Sequence, residues 1–84
     1  MIGVMNNPFA LKLKRAADKY LVSFTDGDII VDTAVIKRDY EDLMSIAQLI
    51  EDGADNRIIA KAMWQLDTLV RDFIPDEVYY RFSK

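Results

Sequence analysis

The segment between Asp55 and Phe73 constrains the fold more than any other part of the chain. Its apolar residues recur at the three- and four-residue spacing of an amphipathic helix. This stripe consists of Ile58, Ile59, Ala62, Met63, Leu66, Leu69, Val70 and Phe73. Asp55 suits the N-cap, because its carboxylate can accept from the free N–H groups of the first turn. Pro75 cannot continue a helix, so the pattern predicts one long helix that ends before it.

The opposite face of this helix carries the feature that most needs a functional explanation. Trp64 lies nearly opposite the middle of the apolar stripe, and four polar or basic residues share its side of the helix: Arg57, Lys61, Thr68 and Arg71. Tryptophan and arginine are enriched in the residues that dominate protein interfaces. We therefore expect these five residues to bind a partner. The alternative is that the aromatic tail or the N-terminal helix covers the ring.

The N-terminal part of the chain predicts a helix after a short loose segment. Residues 1–6 show no periodic pattern, and Asn7 and Pro8 suit the N-cap and the first helical position. The apolar residues that follow at helical spacing are Phe9, Leu13, Ala16, Ala17, Tyr20 and Phe24. Residues 9–14 also alternate like a strand, but residues 14–19 have high helix propensity, which favours the helix.

The next part of the chain predicts a β-hairpin. Two β-prone runs, 21–24 and 29–36, flank the turn-like sequence Thr25-Asp26-Gly27-Asp28. The second run is rich in β-branched residues, which suit a pleated and half-buried surface. A lone hairpin is marginally stable in water, so it must pack on the helices or extend across a dimer.

The remaining elements complete a predicted α+β fold in one domain, residues 1–84. A helix is expected to start at 37–39, with Asp39 near its positive end, and to end at Gly53. Its inner stripe is Tyr40, Leu43, Met44, Ala47 and Ile50, widened by Ile46 and Leu49. The short link at 53–54 makes it an antiparallel or steeply crossed neighbour of the 55–73 helix. Residues 76–82 form a short helix or an extended aromatic tail that docks on the body.

Composition argues against catalysis, cofactors and metals. The 84 residues include neither cysteine nor histidine, so disulfides, thiolates and the commonest general base are absent. Asp26, Asp28 and Asp32 suggest a calcium loop, but Val31 and Lys37 occupy the places of its glycine and its final glutamate. No signal-peptide layout or membrane-spanning apolar run is present, so we expect a cytoplasmic protein.

Charge is distributed unevenly along the chain. Residues 1–24 hold four basic and one acidic residue, a net charge of +3, whereas residues 25–84 hold seven basic and thirteen acidic residues, a net charge of −6. The basic segment can dock on the acidic body or steer a charged partner. The acidic balance argues mildly against sequence-independent binding to nucleic acid.

The preferred function is therefore a non-catalytic protein–protein interaction module, such as a small regulator, inhibitor or assembly factor. It would act through the basic and aromatic outer face of the 55–73 helix, and a homodimer is one form such a contact can take. Two alternatives stay open. The helices around Gly53 weakly match a helix-turn-helix DNA-binding motif that would use Asn56, Arg57 and Lys61. The acidic body could also mimic nucleic acid, as in some phage-encoded inhibitors.

Overall fold

A computed structural model describes residues 7–25 and 32–83, and every secondary-structure element in these two ranges is an α-helix. The helices are α1 (Pro8–Thr25), α2 (Thr33–Glu51), α3 (Asn56–Trp64), α4 (Thr68–Arg71) and α5 (Asp76–Ser83). Helix α1 packs mainly along α2, and α3 packs mainly against α5. All five helices contribute to a single apolar core. The predicted α+β class is therefore wrong.

Helix α1 forms where the sequence predicted it. Asn7 caps it, because its side-chain oxygen accepts from the backbone N–H of Phe9 at 2.9 Å, and Pro8 occupies the first helical position. Leu13 and Tyr20 are fully or almost fully buried along its inner stripe. The helix is longer than expected, because it continues to Thr25 instead of ending before a strand.

The predicted β-hairpin is wrong wherever the structure describes it. Residues 21–24 are the last turns of α1, and residues 33–36 are the first turn of α2. The predicted turn at 26–28 and the start of the second strand lie outside the described residues. Packing outweighs β propensity here, because Phe24 joins the helical stripe with its ring 4.8 Å from that of Tyr20, and Ile36 is buried in the core.

Helix α2 begins earlier than predicted, at Thr33 instead of 37–39. The Asp32 carboxylate accepts from the N–H of Ala34 at 2.9 Å and so provides the cap. Asp39 therefore lies in the second turn and is buried instead of marking a helix start. At the other end Gly53 adopts a φ of 76°, and the N–H of Ala54 donates to the carbonyl of Leu49 at 3.0 Å. This is the Schellman arrangement that the glycine predicted.

The predicted 55–73 helix is two helices. Asp55 caps α3 as expected, accepting from the N–H of Arg57 at 2.9 Å. The chain then leaves helical geometry after Trp64, and Asp67 is extended, with a φ of −62° and a ψ of 150°, before α4 starts. The break also changes which apolar residues face inward. Ile58 and Leu69 are each 54% exposed, contrary to the predicted stripe, whereas Ile59, Met63, Leu66 and Val70 are buried.

The aromatic tail is helix α5, and it docks on the body. The carbonyl of Pro75 accepts from the N–H groups of Val78 and Tyr79, each at 3.0 Å, and so starts the helix. Val78 and Phe82 are buried, and the Phe82 ring meets that of Phe9 edge-on at 5.7 Å. Within the described ranges, no helix combines the length and the apolar character that crossing a bilayer requires.

Candidate functional site: the Trp64 face

Trp64, the last residue of α3, is 57% exposed and yet held in place by its neighbours. The Arg71 guanidinium lies over the indole, 5.0 Å from the ring centroid. Arg71 Nη2 in turn donates to Thr68 Oγ1 at 3.3 Å. The structure thus brings together three of the five residues that the sequence singled out, namely Trp64, Thr68 and Arg71.

The break between α3 and α4 gives this cluster its geometry. In a continuous helix, residues 64 and 71 would be separated by roughly 10 Å along the axis, because each residue advances about 1.5 Å. Here the two side chains belong to different helices, and their charged and aromatic groups are 5.0 Å apart. A cation over an aromatic face is stabilised electrostatically, by about 0.5–1 kcal/mol at an exposed site. The interruption thus allows a cation–π pair across the joint.

A groove of about 290 Å³ lies next to this cluster; Trp64 does not line it, but Arg71 and Tyr79, which contact the indole, do. Its lining residues come from α4, from the link that follows it, and from α5: Thr68, Arg71, Asp72, Ile74, Asp76, Tyr79 and Tyr80. The ring of Tyr79 meets the Trp64 indole at a centroid distance of 6.1 Å, and Tyr80 is 60% exposed. We refer to Trp64 and these lining residues together as the Trp64 face.

Charges of both signs on this face form no ion pair with the residues that the structure describes. No described carboxylate lies within 4 Å of the Arg71 guanidinium, and its Nε is buried without an acceptor. Asp72 and Asp76 line the same groove, and neither forms an ion pair with any described residue. Such groups remain available for a charge-assisted hydrogen bond to another molecule.

The other two predicted residues, Arg57 and Lys61, do not belong to the groove. Both are exposed on α3, on the turns that precede Trp64, and the structure gives neither an ion pair with the residues it describes. Conversely, sequence reasoning missed the groove residues Asp72, Asp76 and Tyr80. The tail aromatics hinted at a contact with Trp64, but no sequence pattern indicated the two acids.

The proposed covering of Trp64 by the chain itself is incomplete. Tyr79 of α5 meets the indole edge-on, as the docked tail suggested, but Trp64 as a whole residue stays 57% exposed. An exposed tryptophan gains little of the stabilisation that burial gives to apolar surface. Stability of the described fold therefore does not account for this side chain.

The basic N-terminal segment docks on the acidic body in part. Lys12 pairs with Glu77 at 2.7 Å and Lys14 pairs with Glu51 at 2.8 Å. Arg15 and Lys19 pair with no described carboxylate, and they line a second groove, of about 510 Å³, together with Phe73, Ile74, Pro75, Asp72 and Asp76. Asp72 and Asp76 thus line both grooves.

The buried polar pair of the core is structural. The Tyr20 hydroxyl donates to Asp39 Oδ2 at 2.7 Å, and Asp39 is only 5% exposed. Burial, reinforced by this hydrogen bond, raises the pKa of the Tyr20 hydroxyl above its ordinary value. Neither residue lines the two grooves described above, and the pair satisfies two polar groups inside the bundle.

No group of three or more potential metal ligands occurs among residues 7–25 and 32–83. Comparison of the chain with protein-family models, curated proteins and solved structures finds no match.

Proposed function

We propose that this chain is a non-catalytic interaction module that binds protein through the Trp64 face. One observation carries the proposal: a tryptophan that is 57% exposed lies beside a groove, in contact with an arginine that pairs with no carboxylate in the described part of the chain. Tryptophan, tyrosine and arginine dominate the binding energy of protein interfaces when a partner covers them. The role would be that of a small regulator, inhibitor or assembly factor, and a cytoplasmic location stays a prediction of the sequence.

Arg71 of the Trp64 face is already ordered before a partner binds, which favours tight binding. Arg71 is fixed from two sides, by the indole of Trp64 and by the hydroxyl of Thr68, so less side-chain freedom is lost when a partner binds. The groove, of about 290 Å³, is at the lower limit of small-molecule pockets, which span roughly 300–1,000 Å³. A single large side chain suits it better than a cofactor does.

Protein is favoured over nucleic acid as the partner. Asp72 and Asp76 would face the phosphates of any strand placed in the groove, and nonspecific binding to nucleic acid requires a basic footprint. The helix-turn-helix and nucleic-acid-mimic hypotheses stay predictions. Duplex binding that weakens steeply with salt and disappears in Arg57→Ala would favour the first of them.

The test uses three single substitutions, of which two remove residues of the Trp64 face (Trp64→Ala and Arg71→Ala) and one is a control (Ile58→Ala). Trp64→Ala removes the exposed ring of the face, whereas Ile58→Ala removes a side chain of comparable exposure (54%) that is not part of it. Each protein is immobilised and the retained proteins are quantified by mass spectrometry. We expect the same proteins on the wild type and on Ile58→Ala, and their loss on Trp64→Ala and Arg71→Ala. Equal retention by all four proteins would contradict the proposal.

A further inference from the structure

We propose that the Trp64 face binds a second copy of this chain in a two-fold symmetric dimer. Trp64 of each copy enters the groove of the other, and each Arg71 pairs across the interface with the acids Asp72 and Asp76. The inference deepens the proposed function, on which it rests, by naming the partner.

The shape of the face is self-complementary. A two-fold interface uses the same patch on both subunits, so that patch must carry both a projection and a receptacle for it. Trp64 provides the projection, since 57% of it is exposed, and the groove of about 290 Å³ lies beside it. A cavity of about 150 Å³ is enough to hold benzene, so roughly twice that volume can accept an indole.

The charge pattern is self-complementary as well. Arg71 is positive, Asp72 and Asp76 are negative, and none of the three forms an ion pair with a described residue. A purely acidic partner that paired with Arg71 would meet the two aspartates with the same sign, and a purely basic partner would meet Arg71. A second copy turned about a two-fold axis presents acids to the arginine and an arginine to the acids.

The exposed rings set the expected strength of the dimer. Trp64 and Tyr80 are 57% and 60% exposed, and fully burying an aromatic side chain removes about 150–250 Å² from water. Two half-exposed rings per copy supply less than the ~800 Å² per partner of a standard stable interface. We therefore expect a weak dimer that dissociates reversibly on dilution.

The experiment measures molar mass by sedimentation equilibrium across a dilution series. Wild-type protein and Ile58→Ala should have twice the monomer mass at high concentration and the monomer mass after dilution. Trp64→Ala, the charge reversal Arg71→Glu, and the double substitution Asp72→Lys with Asp76→Lys should each stay monomeric. Helical circular dichroism equal to that of the wild type excludes unfolding as the cause.

A mixture of the two charge variants gives the decisive result. Arg71→Glu places like charges opposite each other at both symmetry-related contacts, and so does the double lysine variant. Mixed one to one, they place opposite charges at both contacts, so dimer mass should return. Recovery by mixing also shows that both variants are folded.

Three outcomes would overturn the dimer: wild-type protein that is monomeric at every concentration, Trp64→Ala that still dimerises, or mixed charge variants that stay monomeric. The first leaves the proposed function standing if other proteins are still captured in a Trp64-dependent manner. If neither self-association nor capture depends on Trp64, the proposed function fails too.

Discussion

Tyr20 of α1 and Asp39 of α2 join the two longest helices through a buried hydrogen bond, in which the hydroxyl donates to Oδ2 at 2.7 Å. Asp39 is 5% exposed, and its other oxygen lies 3.6 Å from the Arg38 guanidinium. A carboxylate this far from water depends on these few partners. The pair therefore offers the most direct test of how α1 and α2 are held together.

Tyr20→Phe should lower the free energy of unfolding by about 1.5–3 kcal/mol, because it removes a hydrogen bond to a charged group that stays buried. Urea denaturation followed by circular dichroism measures this change. Tyr40→Phe is the matched control, since Tyr40 donates to the exposed carboxylate of Asp18 across the same helix pair at 3.3 Å. Its cost should be under about 0.5 kcal/mol. Equal costs for the two variants would mean that the buried bond contributes nothing special.

The same pair predicts a loss of stability in alkali. The pKa of Tyr20 is raised in the folded chain, so the folded state keeps a proton that the unfolded state releases above its ordinary pKa of about 10. This contribution to stability is complete below that pH and is lost as the pH rises through the folded pKa, with a limiting slope of about 1.4 kcal/mol per pH unit. The difference in unfolding free energy between the wild type and Tyr20→Phe should therefore be constant up to about pH 10 and shrink as the pH rises further towards the folded pKa. A difference that stays constant above about pH 10 would contradict the prediction.

Much of this bundle could be predicted from the spacing of apolar residues, but not the α+β class. The stripe of α1, the caps Asn7 and Asp55, and the left-handed Gly53 are local features, and the structure has them all. The hairpin prediction was wrong because it used only local sequence. A β-branched run and a turn-like Asp-Gly pair give the same pattern whether the residues form strands or helices that pack in the core. Tertiary packing decided the matter: the Phe24 ring lies 6.1 Å from that of Phe73, far along the chain, and Ile36 is buried in the core.

The candidate site was predictable only as far as a helical wheel applies. Trp64, Thr68 and Arg71 do lie together in the structure, but two helices carry them and not the single helix that was predicted. Asp72, Asp76 and Tyr80 enter the site through the way the α4–α5 link and α5 fold back. Residues 65–67 include neither glycine nor proline, so the sequence does not indicate a helix break there. In the structure, Leu66 and Val70, within and just after the break, are buried in the core.

Adjacent residues of α3 should respond very differently to truncation. Trp64→Ala should change the free energy of unfolding of the monomer by less than about 1 kcal/mol, because the ring is largely in water already. Met63→Ala should cost about 2–5 kcal/mol, since Met63 is fully buried in the core. Chemical denaturation in dilute solution checks both values. A cost for Trp64→Ala as large as that for Met63→Ala would mean that the ring supports the fold.

The helix caps give a second matched comparison. Asp55→Ala should cost about 1 kcal/mol, because its carboxylate accepts from the N–H of Arg57 at 2.9 Å. Asp67 occupies the same position before α4 but makes no side-chain capping hydrogen bond, so Asp67→Ala should cost less than about 0.5 kcal/mol. Thermal and urea unfolding of both variants test the ranking, and the reverse order would show that the observed bond is not the stabilising one.

The Trp64 indole belongs to α3, and the Arg71 guanidinium that lies over it belongs to α4. A molecule that binds both groups therefore also fixes the angle between the two helices. Binding of such a molecule should therefore slow hydrogen exchange of the backbone amides of Leu66 and Asp67, which lie between the two helices. Linkage makes the effect reciprocal, so a substitution that stiffens the joint in its present angle tightens binding without touching the partner. Because the helix is interrupted here, partner binding at Trp64 and Arg71 and the hydrogen-exchange protection of Leu66 and Asp67 should report the same equilibrium.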